Sequence, residues 1–234
     1  TVTVAVAESE SESETVTVAL AETVAESESE SESETETVAD DDSAPQEYKK
    51  RTILTMSTRL DLMVPAGEGV DAAADVVREV FARVAERANE WRPESPLSAV
   101  NAAAGGEPTA VPDDLRALLG RGLRLGVRTG GAFDVTWAAM WGLWDFRADP
   151  PQPPPLAEVA KRIALVDFRQ VEVDAQAGTV RLPRKGMKIG LGGIAKGWAL
   201  DESAAALQKL GVASFMMSAG GQVLPEPVWS RSWP

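Results

Sequence analysis

The chain has 234 residues with 23 Lys+Arg, 36 Asp+Glu, no His and no Cys. Without Cys there is no disulfide framework, thiolate nucleophile or Cys zinc site. Without His there is no Ser-His-Asp triad and no imidazole base or metal ligand. The chemistry left is that of carboxylates, hydroxyls, Lys, Arg, backbone groups and a bound metal.

The net charge of -13 hides an asymmetry: residues 1–48 hold 15 acidic side chains and no basic one, while the rest hold 21 acidic and 23 basic. The body is nearly neutral. No basic stripe interleaved with aromatics points to nucleic acid. No apolar run approaches the roughly 18 residues of a spanning helix, and no apolar signal-peptide core is present.

Residues 1–48 alternate Ser with Glu and repeat TVTVA-like pieces. Such a stretch is highly charged and buries little, so it is expected to be a disordered acidic tail, serving as a spacer or an interaction segment. From Lys49 the composition becomes globular. Arg51 to Val64 reads as a strand or half a hairpin, ended by Pro65 and Gly67. Apolar residues at Val70, Ala73, Ala74, Val77, Val80, Phe81, Val84 and Ala88 predict an amphipathic helix to about Glu90, broken by Pro93 and Pro96. Pro112 to Arg128 predicts a second helix, stopped by Gly130-Gly131. After the Pro-rich 150–155 loop come a short helix (Leu156–Leu165) and strands at Phe168–Asp174, Thr179–Leu182 and Met187–Leu191. A helix over Ile194–Leu210 and a buried strand over Ala213–Ser218 follow. Strands and helices mix without strict alternation, so the class is α+β, or mixed α/β.

Three stretches carry chemical signals. Gly190-Leu-Gly-Gly-Ile-Ala-Lys196-Gly joins a predicted strand to a helix. It reads either as a phosphate cradle of backbone N–H groups beside a Lys, or as a tight turn. It lacks the Gly-Lys-Ser/Thr of a P-loop. As a dinucleotide fingerprint it lacks the acid about 20 positions on, where Met216, Met217 and Ser218 stand. In TGGAFDVT, Asp134 either accepts hydrogen bonds from a base or ribose, or caps the next helix. Trp137, Trp141 and Trp144 share one helical face and read as core. In WRPESPLSAVN, Trp91 either stacks on a flat ring or folds back on the core.

Together and in order, these stretches resemble the ApbE family of FAD:protein FMN transferases. The resemblance is carried by Met56-Ser57-Thr58, WRPESPLSAVN, TGGAFDVT with Leu143-Trp144-Asp145-Phe146, LGGIAKGWALD and Ser218-Ala219-Gly220-Gly221. It implies a flavin transferase fold. It also implies Mg²⁺-dependent transfer of FMN from FAD to a Thr or Ser hydroxyl of a target protein, with release of AMP; some members hydrolyse FAD instead. By motif position Met56, Trp91, Ala132, Phe133, Asp134, Gly190 and Lys196 would hold FAD, and the carbonyl of Gly193 would be one Mg²⁺ ligand. Gly190 stands where many members carry Asp. The resemblance spans about Thr52 to Val223, within an expected FAD-binding domain over 49–223, and lacks the family's final third with its Mg²⁺-completing Asp and Thr. The chain is therefore expected to be a C-terminally truncated domain with a non-family stretch over 224–234, and a non-catalytic FAD-binding remnant is the rival reading. An acidic-tail interaction protein and a Rossmann oxidoreductase are weaker ones. By resemblance the location would be the periplasmic face of the cytoplasmic membrane.

Overall fold

A computed structural model describes residues 35–38, 46–67, 69–150 and 152–226. The main sheet has five antiparallel strands in the order β1-β2-β3-β7-β8. These are β1 (Thr35–Val38), β2 (Gln46–Thr55), β3 (Thr58–Pro65), β7 (Phe215–Ala219) and β8 (Gln222–Glu226). A second sheet orders β4 (Thr109–Ala110), β6 (Thr179–Arg181) and β5 (Glu172–Asp174). The helices are α1 (Val70–Arg87), α2 (Pro96–Ala102), α3 (Asp113–Arg128), α4 (Leu156–Ile163) and α5 (Gly192–Lys209). The mixed class expected from the sequence is the one observed.

The stretch read as one strand or half a hairpin is a whole hairpin. Thr55 pairs with Thr58 across a two-residue turn, and both turn residues, Met56 and Ser57, have positive φ (48° and 57°). That is the conformation whose twist matches the flanking strands. β3 alternates so that Leu60, Leu62 and Val64 are buried, and β7 lays Phe215, Met217 and Ala219 into the same core. The apolar stripe of α1, from Val70 to Val84, and Ala195, Ala199, Leu200 and Leu207 of α5 complete that core. Burial of these aliphatics is the main stabilising contribution.

Several local expectations change. Residues 35–38, inside the segment read as an acidic tail, pair with 46–49 as strands; the remainder of 1–45 lies outside the described residues. β8 pairs along β7 from Gln222 to Glu226, so the boundary expected near Leu224 falls within a strand. Pro96 starts a helix rather than only ending one: Ser95 caps α2 by accepting from the Ser98 N–H, and Pro fits the first turn, where its missing donor costs nothing. Phe168–Gln170 is a 3-10 turn, with only Glu172–Asp174 forming a strand. In Met187–Leu191 every residue but Lys188 is buried, yet the segment is no strand. Its backbone groups are satisfied sideways. Ile189 exchanges two bonds with the Asn101 amide (2.9 and 2.7 Å), and the Gly190 N–H donates to the Val135 carbonyl at 2.9 Å. A side-chain amide has taken the place of a neighbouring strand.

Candidate flavin site

The site forms where this buried segment enters α5. The first turn of any helix leaves its N–H groups unpaired, with partial positive charge. Here that turn opens with Gly192 and Gly193, the Ile194 N–H already donating to the Leu191 carbonyl at 2.9 Å, and four side chains pack on the Gly-rich entrance. A Cβ at Gly190 would lie 3.2 Å from ring atoms of Trp137 and 3.1 Å from Ala138. One at Gly193 would lie 3.3 Å from the Phe133 ring, and one at Gly192 would lie 3.9 Å from a Glu90 carboxylate oxygen. The Trp137 indole N–H donates to the Gly190 carbonyl at 3.2 Å. This close approach is what small residues at 190 and 193 permit.

Lys196 sits one turn into α5. Its stem lies against the β7–β8 turn, where a Cβ at Gly220 would meet its Cε at 2.8 Å. Gly220 has φ +57°, a conformation that favours glycine, and a side chain there would have to displace the end of the Lys196 stem. The same point is 3.8 Å from the Thr58 hydroxyl, at the start of β3. Met56 is partly buried against the core. Among the described residues Lys196 has no ion-pair partner.

Trp91 follows α1 in a clamped turn. Its N–H donates to the Asn89 side chain at 2.9 Å. The Asn89 carbonyl accepts from Ser95 and Ser98, and the Glu90 carbonyl from Ser98 at 3.2 Å. Trp91 does not fold back on the core: it is 72% exposed and stacks on Trp141, ring centroids 4.2 Å apart and 20° from parallel. Trp141 in turn meets Trp137 edge-on at 5.3 Å. The Trp stripe read as core is therefore a surface feature; Trp137 and Trp144 are 43% and 41% exposed. The reason is that the helical segment is short and ends at Met140, so only Trp137 lies in it; Trp141 and Trp144 follow in a turn, where helical spacing does not apply.

Asp134 turns its carboxylate inward. One oxygen accepts from the N–H and hydroxyl of Thr136, and the other from the Phe168 N–H at 3.0 Å. The Thr136 hydroxyl accepts from the Asp167 N–H at 2.8 Å. Asp134 thus ties the Ala132–Phe133 turn to the 167–168 turn, and also caps the 3-10 segment. Ala132 is exposed beside it. Of the residues named from the sequence, Phe133 and Gly193 meet directly; Gly190 meets Trp137, through which Trp141 and Trp91 are linked to it, and the Lys196 stem lies at Gly220. Sequence reading passed over Glu90 and the pairing role of Trp141. Burial raises the Glu90 carboxyl above its ordinary value of 4.5, against a lowering backbone hydrogen bond.

The match to known proteins is extensive. The ApbE family model matches residues 54–227. An FAD:protein FMN transferase of Treponema pallidum is 35% identical over 167 residues, which is 68% of this chain and 45% of that protein. One from Rhodobacter capsulatus is 32% identical over 198 residues, 82% of this chain and 37% of that protein. The chain spans about half the length, or less, of these curated relatives. Among solved structures, flavin transferase ApbE from Vibrio cholerae superposes with a TM-score of 0.70 at 24% identity, covering 82% of this chain and 60% of that one. The apo flavinyl transferase ApbE of Pseudomonas stutzeri gives 0.70 at 21%, covering 80% and 63%; these two likenesses establish the fold. The chain belongs to the ApbE family.

Proposed function

We propose that the chain binds FAD and that its activity is transfer of FMN from FAD to a Thr or Ser hydroxyl of a target protein. The observation that carries the reading is the family match; the glycine-lined entrance to α5, against which Phe133 and Trp137 pack, supports it. In the reaction the acceptor hydroxyl oxygen bonds to the FMN phosphorus. The P–O bond to the AMP half breaks, AMP departs with the bridging oxygen and its electron pair, and the hydroxyl proton passes to a base or water.

Each group has a physical role in this reading. The exposed face of Trp91 stacks on the flavin ring. The N–H groups at the start of α5 and the Lys196 ammonium offset the negative charge of the pyrophosphate. Met56 and the Ala132–Phe133 turn border the flavin. Asp134, spent on internal hydrogen bonds, holds that turn in place rather than reaching out.

Mg²⁺ enters by family resemblance, with the Gly193 carbonyl as one ligand. The described residues do not fit it by themselves. No group of three acidic side chains converges among them, and Mg²⁺ demands near-octahedral oxygen ligation. That same observation favours a second reading, FAD binding without transfer. No helix among the described residues is long and apolar enough to cross a membrane.

The test is to incubate the chain with FAD and a Ser/Thr-bearing acceptor, with and without Mg²⁺, and separate the products. AMP with flavin bound covalently to the acceptor supports transfer. AMP with free FMN means hydrolysis, and retained intact FAD means binding alone.

A further inference from the structure

Trp91 stands in a loop and is mostly exposed, yet its ring plane is set. One face lies on Trp141 at 4.2 Å, Trp141 abuts Trp137 at 5.3 Å and 80°, and Trp137 bonds the Gly190 carbonyl. The backbone of Trp141 is held as well. Its N–H donates to the Ala138 carbonyl at 3.1 Å, and Arg162 of α4 donates to the carbonyls of Ala139 (2.9 Å) and Trp141 (3.4 Å). The three indoles form a ladder from the Gly-rich entrance of α5 out to Trp91.

We propose that Trp141 is a positioning residue for flavin: it backs Trp91 so that the outer face of that ring is fixed for the isoalloxazine. The proposal rests on the FAD reading above. An exposed Trp loses rotamer freedom when it is immobilised by a ligand, and a ring already held in place does not pay that cost on binding. The flavin then extends an existing stack from two rings to three. The geometry leaves the outer face open, since Trp91 stays 72% exposed with its inner face covered.

The test titrates FAD into the full chain and four variants, Trp91→Ala, Trp141→Ala, Trp141→Phe and the Trp91→Ala/Trp141→Ala double, following quenching of flavin fluorescence. Trp141→Ala is expected to weaken binding by about two- to tenfold, the range of one aromatic pair. Trp141→Phe, which keeps a ring in the stack, recovers most of it. The double variant binds no more weakly than Trp91→Ala alone, because Trp141 acts only through Trp91. Unchanged or tighter binding by Trp141→Ala overturns the proposal, tighter binding marking Trp141 as occupying the flavin's own place. Additive losses in the double variant overturn it too. Circular dichroism of the free chain adds a check on folding: loss of the far-ultraviolet indole exciton couplet in Trp141→Ala, with a cooperative thermal unfolding transition retained, is expected. A wild-type chain that fails to bind FAD overturns the FAD reading and this proposal together; wild-type binding with Trp141→Ala unaffected overturns this proposal alone.

Discussion

Trp137 occupies the space that a side chain at residue 190 would need, and its indole N–H is bonded to the carbonyl of that same residue, Gly190. Family resemblance puts Asp at this position in many members. Here the glycine and the tryptophan are complementary. Gly190→Asp is expected to displace the ring and destabilise the fold by about 1–3 kcal/mol, as overpacking does. The double variant Gly190→Asp/Trp137→Ala should recover part of that loss. Thermal unfolding of the three variants measures the coupling; simple additivity of the two substitutions would contradict it.

Asn101 does the work of a missing strand. Its amide satisfies both backbone groups of fully buried Ile189. Asn101→Ala leaves a buried donor and acceptor unpaired, at a cost of about 2–4 kcal/mol. Denaturant titration should show a lowered midpoint at constant slope. An Asp at 101 keeps the acceptor but loses the donor, and should fall between Ala and wild type if it remains folded.

Lys196 is expected to act through charge more than packing. Lys196→Met keeps a long apolar stem over Gly220 and removes the ammonium. FAD binding should weaken while the melting temperature changes little. The wild-type affinity should also fall with added salt more steeply than that of the variant. Equal salt dependence in both would place Lys196 away from the pyrophosphate.

Glu90 predicts a pH slope. Burial raises its carboxyl in the folded chain, so above about pH 4.5 the folded state holds more protons at this site than the unfolded state does. Stability from this group is complete below that value and is lost as pH rises through the raised folded value. Glu90→Gln should flatten the slope of unfolding free energy above about pH 4.5. A slope identical to wild type would show that Glu90 is solvated.

The sequence alone determined a good deal. The 3.6-residue apolar period set α1, because a helix that must bury one face has to repeat its apolar residues at that interval, and Gly130-Gly131 marked the end of α3. The ordered motifs from Met56 to Gly221 carried the family, and small residues around 190–197 marked the turn into α5. Tertiary structure decided the rest. Met187–Leu191 has the composition of a strand, but pairing is a property of neighbours, and its neighbours are Asn101, Val135 and Trp137. Asp134 was readable as a ligand or a cap; only the arrival of Phe168 and Thr136 showed where both oxygens go. Trp91 and Trp141 lie 50 positions apart, and nothing in local periodicity could join them. Long-range stacking depends on how α1 and the 3-10 turn are set against the core, which no window of sequence contains.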